Sequence, residues 1–238
     1  MWLSKIKQAI DDGTLEFHCQ PVEQIGGTGE QGIYEVLVRL RQPDRLVYAA
    51  EFIEEIIKYP EVLKLIDRAA IDTCINSPIA IHTVNLSSAS LSDQTLAGYI
   101  SRVFEKAGRD PVNTWFEVTE NFMLNPEALG TIAALKAAGF KVGLDDFGVG
   151  YNGLLALVKV KPDFLKISGA LVSEIGTTQG RVAVKLSMAA GMELKIPVIA
   201  ERIENAGIRN DLMGIKDELM RDFEFYGQGW LFGKGEPC

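Results

Sequence analysis

Residues 140–151 read FKVGLDDFGVGY, an apolar run that ends in two adjacent carboxylates and a glycine-rich turn. A short apolar run bounded by turn residues predicts a buried strand. Asp145 and Asp146 are therefore expected where a strand gives way to a loop. Two neighbouring anions repel each other unless a cation lies between them or one of them is protonated. The pair predicts a divalent metal, and a helix N-cap at Asp146 followed by a glycine turn is the structural alternative.

The rest of the chain alternates short apolar runs with longer helical patterns, without a linker, repeat or low-complexity segment. Strands are predicted at 15–22, 32–40, 79–86, 114–119, 140–145, 163–167, 196–202 and 223–231. Helices are predicted at 49–58, 61–76, 91–107, 126–138, 151–158, 179–193 and 205–220, after an opening amphipathic helix that ends near residue 11. This alternation predicts an α/β fold of the (β/α)8 barrel type, in one domain that spans residues 1–238.

The first two predicted strands depart from the regular pattern, because a glycine-rich loop at 26–32 joins them in place of a helix. Such a loop indicates a hairpin, so the first strand is expected to run antiparallel to the second in a modified TIM-like barrel. An open doubly wound sheet is the alternative that the alternation leaves open. The turn after Asp146 lacks the G-x-G-x-x-G spacing of a dinucleotide site.

Composition and charge exclude several classes of protein. The 238 residues are 47% hydrophobic, and the formal net charge is −8 with a pI of about 4.9. Binding to a nucleic-acid polymer is not expected, because no basic field exists to displace counterions. No apolar run approaches the length of a membrane span, and the N-terminus lacks a signal-peptide core. These features predict a cytoplasmic domain, or the cytoplasmic part of a membrane-bound parent protein.

The cysteines and histidines do not indicate a metal site. Cys19, Cys74 and Cys238 are far apart and form no C-x-x-C motif, so reduced thiols are expected. His18 and His82 lie in apolar, strand-like runs and are expected to pack in the core.

Polar residues lie at or near the ends of seven predicted strands, where the active sites of barrel enzymes are found. They are Glu35, Asn85, Glu117, Glu120, Asp145, Asp146, Lys166, Glu201, Glu204 and Gln228. Each alone is compatible with a solvated strand end. Together they form an oxygen-rich, histidine-free set that suits hard cations such as Mg²⁺ or Mn²⁺. Two such ions about 4 Å apart can clamp a phosphoryl group and generate hydroxide, which predicts phosphodiester hydrolysis.

The motifs around these residues, in this order, resemble the EAL-domain family of cyclic-di-GMP phosphodiesterases. The name-giving Glu-Ala-Leu is Glu35-Val36-Leu37 here, followed by Arg39. The blocks NLS at 85–87, EVTE at 117–120 and DDFGVGY at 145–151 follow, and the resemblance extends from residue 17 to residue 233. It implies a modified (β/α)8 barrel whose first strand is antiparallel. It also implies metal-dependent cleavage of cyclic di-GMP to linear pGpG, with Ca²⁺ as an inhibitor.

The resemblance assigns a role to each matching position. The implied metal ligands are Glu35, Asn85, Glu117, Asp145, Asp146 and Glu201. Lys166, assisted by Glu201, would act on the attacking water. The dinucleotide would contact Gln20, Leu37, Arg39 and Gln228. The resemblance also places Gln228 among the metal-binding and catalytic residues. Glu120 would brace the loop after Asp146.

Several positions depart from the family pattern. Ser168 stands in place of an aspartate, so one carboxylate near the metals is missing. Arg202 replaces a glycine, Asn152 replaces a serine and Val36 replaces the alanine of Glu-Ala-Leu. An active phosphodiesterase is the favoured hypothesis. A weak or inactive cyclic-di-GMP receptor and a protein-interaction scaffold are the alternatives.

The resemblance also implies partners outside the catalytic barrel. A homodimer is expected, with contacts that the loop after Asp146 supports in this family. Residues 1–12 resemble the connector helix that often precedes this domain. The chain is therefore expected to be a piece of a longer protein with sensory or cyclase-like GGDEF-type domains.

Overall fold

A closed ring of eight strands forms the centre of the computed structural model, which describes residues 2–26, 32–119, 125–150, 153–219 and 223–238. The strands are β1 Leu15–Gln24, β2 Ile33–Arg41, β3 Leu46–Tyr48, β4 Ile81–Asn85, β5 Thr114–Thr119, β6 Lys141–Phe147, β7 Leu165–Ile167, β8 Val198–Ala200, β9 Phe225–Gln228 and β10 Glu236–Pro237. The helices are α1 Trp2–Asp11, α2 Ile53–Ile56, α3 Pro60–Asn76, α4 Ser88–Leu91, α5 Leu96–Ala107, α6 Pro126–Ala137, α7 Gly153–Val160, α8 Gly169–Ser173, α9 Thr178–Leu194 and α10 Ala206–Glu218. Single 3-10 turns lie at Ala49–Glu51 and Pro111–Asn113.

The strand pairing closes the barrel and confirms the predicted fold class. The ring runs β1-β9-β8-β7-β6-β5-β4-β2 and returns to β1. β1 is antiparallel to β2 and to β9, and every other neighbouring pair in the ring is parallel. The expected hairpin direction is therefore correct, and the open doubly wound sheet is wrong. β3 and β10 are short antiparallel additions that the sequence did not predict.

An apolar layer seals the barrel at the amino ends of its parallel strands. It consists of Val22, Ile33, Trp115, Phe164 and Ile199. The rings of Trp115 and Phe164 lie 5.1 Å apart between centroids. On the neighbouring strand, a Cβ at Gly143 would stand 2.5 Å from the Phe164 ring, so only glycine leaves room for that ring. We call these five side chains the floor.

Three helical regions differ from their prediction. The helix expected at 49–58 divides into the 3-10 turn Ala49–Glu51 and the four-residue α2. The helix expected at 91–107 is interrupted, because α4 ends at Leu91 and α5 begins at Leu96. Between them, Asp93 Oδ1 accepts hydrogen bonds from the backbone N–H and the hydroxyl of Thr95, at 3.0 and 2.7 Å. This local alternative to helical bonding is typical of aspartate. The five-residue helix α8, which follows β7, was not predicted.

The expectation of reduced cysteines is wrong for two of the three. Cys19 and Cys238 form a disulfide, and Cys74 is a buried free thiol. The two bonded residues are 219 positions apart in sequence, and the pairing of β10 with β1 brings them together. Sequence spacing carried no signal for this contact, because it arises only when the barrel edge is completed.

The histidines are buried, as expected for core residues. His18 is 5% exposed. Its Nδ1 lies 3.1 Å from Gly235 O, and its Nε2 lies 3.1 Å from Glu16 Oε2. His82 is fully buried and has no side-chain hydrogen-bond partner among the described residues. Burial, with a smaller effect of Arg109, lowers the pKa of His82 to about 4.

The helix α1 is amphipathic, as predicted, and packs its apolar side against the edge of the barrel. Ile6 and Ala9 are buried with Leu40 of β2 and Val47 of β3. Among the described residues, no helix has both the length and the apolar composition needed to cross a membrane.

Candidate active site

The polar residues of the strands lie two positions after the floor residues, so both sets point into the barrel. In β2 Ile33 precedes Glu35, and in β5 Trp115 precedes Glu117. Residues two apart on a strand share one face. The same spacing recurs at Phe164 and Lys166 and at Ile199 and Glu201. Gly143 and Tyr226, which lie beside the floor, precede Asp145 and Gln228 by the same two positions. A polar layer therefore lies directly above the floor, at the carboxyl ends of the parallel strands.

Lys166 lies at the centre of this polar layer, with its side chain 1% exposed. Its Nζ is within ion-pair distance of four carboxylates: Glu117 Oε2 at 2.7 Å, Glu201 Oε1 at 2.9 Å, Glu35 Oε2 at 3.2 Å and Asp145 Oδ1 at 3.4 Å. A buried ammonium is tolerated where opposite charges and hydrogen bonds replace its water. The structure thus brings together five of the residues that the sequence singled out.

Burial and crowding shift the pKa values in this cluster in different directions. Burial raises the pKa of Glu117 well above its usual value and raises that of Asp145 to about 7, and the nearby carboxylates add to both shifts. Burial would also raise the pKa of Glu35, but Lys166 and two amide donors lower it overall. The carboxylates, with Asp145 foremost, outweigh burial at Lys166 and raise its pKa well above its usual value. One cation among four acids leaves the layer short of positive charge.

Two amide side chains orient Glu35. Asn85 Nδ2 donates to Glu35 Oε1 at 2.7 Å, and Gln228 Nε2 donates to Glu35 Oε2 at 2.6 Å. Gln228 Nε2 also lies 3.3 Å from Gln20 Oε1. These bonds connect Gln20 of the antiparallel strand to the carboxylate cluster.

Asp146 lies apart from the Lys166 contacts and is held by the residue that departs from the family pattern. Its φ of +53° is left-handed, and its Oδ1 accepts a 2.8 Å hydrogen bond from the Ser168 hydroxyl. Ser168 also caps α8 by accepting from Ala170 N at 3.4 Å. The next described helix along the chain, α7, begins at Gly153, so the alternative of an N-cap at Asp146 is wrong.

Glu201 and Arg202 both contact the start of α8. Glu201 Oε2 accepts from Gly169 N at 3.2 Å, which orients this carboxylate toward Lys166. Arg202 has a φ of +52°, a left-handed conformation that glycine adopts without steric cost. A Cβ on Gly169 would stand only 2.4 Å from Arg202 Cγ and Cδ. The arginine side chain therefore packs over residue 169 and restricts it to glycine.

Two residues expected to contact a dinucleotide lie beside this layer. Arg39 is 6% exposed, its guanidinium lies 4.5 Å from the centre of the Tyr48 ring, and its Nη1 donates to Val38 O at 2.9 Å. Gln20 Nε2 donates to Gly233 O at 3.1 Å. Arg39 and Gln20 are thus positioned by contacts outside the carboxylate cluster.

A largely apolar cavity of about 400 Å³ lies beside the ends of β2, β4 and β5, and its lining includes Leu37, Ile53, Asn85 and Asp67. Asp67 is 6% exposed, and its Oδ2 accepts from Ser87 N at 2.9 Å and from Ser87 Oγ at 2.7 Å. Burial raises the pKa of Asp67. The sequence reasoning missed this carboxylate because it lies within α3, where no strand end marks it.

The donor atoms of the layer suit a hard cation such as Mg²⁺ or Mn²⁺, since all of them are oxygens. Glu117 Oε1 and Asp145 Oδ1 are buried and accept no hydrogen bond from the described residues. The four carboxylates point toward Lys166 in this structure. Among the described residues, no three acidic, histidine or cysteine side chains are arranged to ligate one metal ion. These two oxygens, of which Asp145 Oδ1 lies 3.4 Å from Lys166 Nζ, are the atoms of the layer best able to take a further cation.

Three positions from the sequence analysis lie outside the described residues. They are Glu120, Tyr151 and Asn152. The proposed brace from Glu120 to the loop after Asp146 stays a prediction.

Comparison with known proteins identifies the family of this chain. The EAL domain family profile matches residues 3–234. The chain is 27% identical, over 99% of its length, to the cyclic di-GMP phosphodiesterase PdeB of Shewanella oneidensis, and covers 28% of that protein. It is 29% identical, over 100% of its length, to the cyclic di-GMP phosphodiesterase PdeR of Escherichia coli, and covers 36% of that protein. The chain therefore spans about a third or less of these relatives' length.

Solved structures share the same fold at low sequence identity. The FimX EAL domain of Pseudomonas aeruginosa bound to c-di-GMP has a TM-score of 0.85 at 23% identity, with coverage of 99% of this chain and 96% of that one. The PaMucR phosphodiesterase in complex with c-di-GMP has a TM-score of 0.85 at 22% identity, with coverage of 99% and 97%. With the family profile matched over nearly its whole length, the chain belongs to the EAL domain family.

Proposed function

We propose that this domain hydrolyses cyclic di-GMP, adding water across one phosphodiester bond to give linear pGpG, with Mg²⁺ or Mn²⁺ as its cofactor. The observation that carries the proposal is the convergence of four strand-end carboxylates on Lys166 above a sealed apolar floor. A cyclic dinucleotide brings two phosphate charges to this mouth, and the net negative layer repels them unless cations intervene. The cofactor and the substrate are therefore expected to bind together.

The cations would be held by Glu35, Asn85, Glu117, Asp145, Asp146 and Glu201. Bound Mg²⁺ or Mn²⁺ lowers the pKa of water and neutralises phosphoryl charge. Asn85 and Gln228 keep Glu35 in one orientation through their amide donors. This preorganisation limits the cost of arranging the ligands when a cation arrives.

Lys166 and Glu201 are the proposed proton-handling pair. Lys166 Nζ lies 2.9 Å from Glu201 Oε1, and Gly169 N holds the other oxygen of Glu201. The ammonium can orient the attacking water and stabilise the negative charge that develops on phosphate. Glu201 can accept the proton of that water, since it is the most exposed of the carboxylates around Lys166 at 21%.

Residues at the mouth have the chemistry to recognise the dinucleotide. Arg39 can form paired hydrogen bonds with phosphate oxygens through its planar guanidinium, and Gln20 lies on the adjacent strand. The cavity beside β2, β4 and β5 can take one guanine base against Leu37. Asp67, on its wall, can accept hydrogen bonds from the N–H donors on the guanine edge.

A cyclic-di-GMP receptor with little turnover is the second candidate. It is favoured by Ser168, which gives Asp146 a neutral hydrogen-bond donor where the family has a carboxylate. It is also favoured by Arg202, which stands directly beside the proposed proton acceptor Glu201. Both changes leave Gln20, Arg39 and the cavity intact.

Turnover with Mn²⁺ separates the two candidates. Purified protein and cyclic di-GMP are incubated with Mn²⁺, and the products are separated by chromatography. Glu117→Gln, which replaces a proposed metal-ligand oxygen by an amide group at constant size, should reduce pGpG formation by about 100-fold or more. Glu105→Gln makes the same change on an exposed part of α5 and should leave the rate unchanged.

Binding in Ca²⁺ completes the comparison, because Ca²⁺ is expected to support binding without hydrolysis. Saturable binding in Ca²⁺ with no pGpG from Mn²⁺ at micromolar enzyme would establish the receptor and exclude the enzyme. The absence of binding with every cation would exclude both candidates and leave a protein-interaction scaffold.

A homodimer is proposed through the face formed by α7 and α9, two helices that follow adjacent strands of the barrel. Leu154 and Val158 on α7 are 77% and 66% exposed, and Leu186 on α9 is 67% exposed. Clustered exposed apolar side chains typically mark protein interfaces. Val158→Lys should shift the protein toward monomer in sedimentation equilibrium, whereas Val112→Lys, at another exposed valine, should not.

The surroundings of the domain are also proposals. The coverage of about a third of the relatives' length supports a longer parent protein, with sensory or GGDEF-type domains, for which α1 would be a connector. A cytoplasmic location follows from the proposed substrate, an intracellular second messenger.

A further inference from the structure

The segment after β9 passes over the edge of the barrel mouth and returns to β1. β9 pairs with β1 only at Val22–Gln24, and β10 takes over the same edge at His18 and Cys19. This half of β1 pairs with the end of β2 and therefore lies at the mouth. We call residues 233–238 the strap.

The strap backbone contacts the side chains that the proposed function assigns to the dinucleotide. Gly233 O accepts the Gln20 Nε2 hydrogen bond at 3.1 Å. A Cβ at Gly235 would lie 3.7 Å from Gln20 Cβ and 3.8 Å from Arg39 Nη2, so the strap backbone passes beside both side chains. Gly235 O also lies 3.1 Å from His18 Nδ1. The position of the strap therefore helps to set the positions of Gln20 and Arg39.

Besides the disulfide, the strap is held by its short pairing with β1, by the contacts of Gly233 and Gly235 with Gln20 and His18, and by local contacts to Gly229 and Trp230. All of its residues are described, and none of them is buried. Its strand is two residues long, and Cys238 N adds one backbone bond to Phe17 O at 3.1 Å. Short, exposed strands open readily, because little apolar surface stabilises them. The Cys19–Cys238 disulfide is thus the covalent restraint that keeps this exposed segment on β1.

We propose that the Cys19–Cys238 disulfide is a redox switch that sets the affinity for cyclic di-GMP by holding the strap against Gln20 and Arg39. This inference rests on the proposed function. The reductant is a dithiol, either a small molecule or a thioredoxin-class protein. One of its thiolates attacks a sulfur of the disulfide, its second thiol resolves the mixed disulfide, and two electrons pass to the protein. Cys19 and Cys238 become thiols, and the dithiol becomes a disulfide.

Reduction frees the strap and weakens nucleotide binding. Gln20 loses the acceptor at Gly233 O, and Arg39 loses the backbone packed beside it. The loss of one such positioning contact typically costs about tenfold in affinity. The described strap contacts reach no carboxylate of the Lys166 cluster, so kcat should change much less than KM.

The test compares the full chain in its oxidised state and after treatment with dithiothreitol. Thiols are counted in denaturant, with one expected before reduction and three after it, since the chain has three cysteines. Hydrogen exchange of the strap amides, followed by mass spectrometry, reports its release without any nucleotide. Dissociation constants for cyclic di-GMP are measured in Ca²⁺ for both states.

Two variants make the comparison specific. Cys238→Ser should bind like the reduced protein and show no response to dithiothreitol. Cys74→Ala changes a cysteine outside the disulfide and should keep the full response.

Faster strap exchange together with about tenfold weaker binding on reduction would support the switch. Three thiols in the oxidised sample, unchanged strap exchange, or strap release at constant affinity would each overturn it. If neither state binds cyclic di-GMP, the proposed function fails and the switch fails with it, whereas the exchange data still report whether the strap is released.

Discussion

The ammonium of Lys166 lies 2.7 Å from the Glu117 carboxylate at a depth where neither side chain reaches solvent, with exposures of 1% and 0%. Three more carboxylates approach the same nitrogen within 3.4 Å. In the protein without metal, this lysine offsets only part of the negative charge of the layer. Cations that bind the same carboxylates would share that task, so metal binding and the contacts of Lys166 are linked.

Removing the charge of Lys166 should destabilise the metal-free protein more than the protein with bound Mn²⁺. Lys166→Met is expected to lower the free energy of unfolding in EDTA by about 3–5 kcal/mol, because buried carboxylates lose their counter-charge. Mn²⁺ should restore part of that loss, and its stabilising effect should be larger than in the parent. Urea unfolding with EDTA and with Mn²⁺ measures both quantities. Lys106→Met on the exposed surface of α5 is the control, and an equal loss with and without Mn²⁺ would contradict the link.

Restoring a carboxylate at residue 168 should strengthen metal binding beside Asp146. Ser168→Asp places a second anion next to the Asp146 oxygen that now accepts the serine hydroxyl at 2.8 Å. The Mn²⁺ concentration for half-maximal activity should fall several-fold, while stability in EDTA falls by about 1 kcal/mol from repulsion. Ser168→Asn has a similar size without the charge and should produce neither effect. Identical metal titrations for the aspartate and asparagine variants would refute this role.

The pKa of Asp145 predicts a specific pH dependence in the metal-free protein. Its carboxyl titrates at about 7 in the folded state and near 3.8 when unfolded, so the folded state binds more protons between these values. Stability from this group is therefore greatest below the unfolded pKa and is lost as the pH rises toward 7. The unfolding free energy of the parent minus that of Asp145→Asn should fall by about 1.4 kcal/mol per pH unit between pH 5 and 6.5. Taking the difference cancels groups common to both proteins, such as His82, and a difference independent of pH would contradict the assignment.

Gly169 and Arg202 should show strong energetic coupling. Gly169→Ala is expected to destabilise the protein by about 1–3 kcal/mol, because the new methyl group meets Arg202 Cγ and Cδ. The same change in an Arg202→Gly background should cost little, since the obstructing side chain is gone. Chemical unfolding of the two single variants and the double variant gives the coupling energy. Equal costs of the alanine in both backgrounds would show that the contact does not restrict residue 169.

Asp67 should contribute to the choice of base. Asp67→Asn keeps the size of the side chain but replaces one acceptor oxygen by a donor, which mismatches the N–H edge of guanine. Affinity for cyclic di-GMP in Ca²⁺ should fall by about tenfold or more, and discrimination against cyclic di-AMP should decrease. Asp72→Asn, on the same helix but outside this cavity, is the matched control. An unchanged ratio of the two affinities would remove Asp67 from the recognition site.

The strand periodicity was readable from sequence because it is local. All eight strands of the ring and the antiparallel entry of β1 agree with the predicted pattern, and Glu35, Glu117 and Lys166 share one side of the barrel as their spacing requires. Element boundaries were less accurate, since the Asp93 turn interrupts a continuous helical pattern.

The sequence by itself determined which side chains point into the barrel, because alternation along a strand depends only on residues two positions apart. Only the tertiary structure decided that Lys166 lies among four carboxylates, that Asp67 of α3 reaches the cavity, and that Cys19 meets Cys238. These contacts join residues far apart in the chain. They depend on closure of the ring and on the register between strands, which sets how deep each side chain lies and which neighbours it meets.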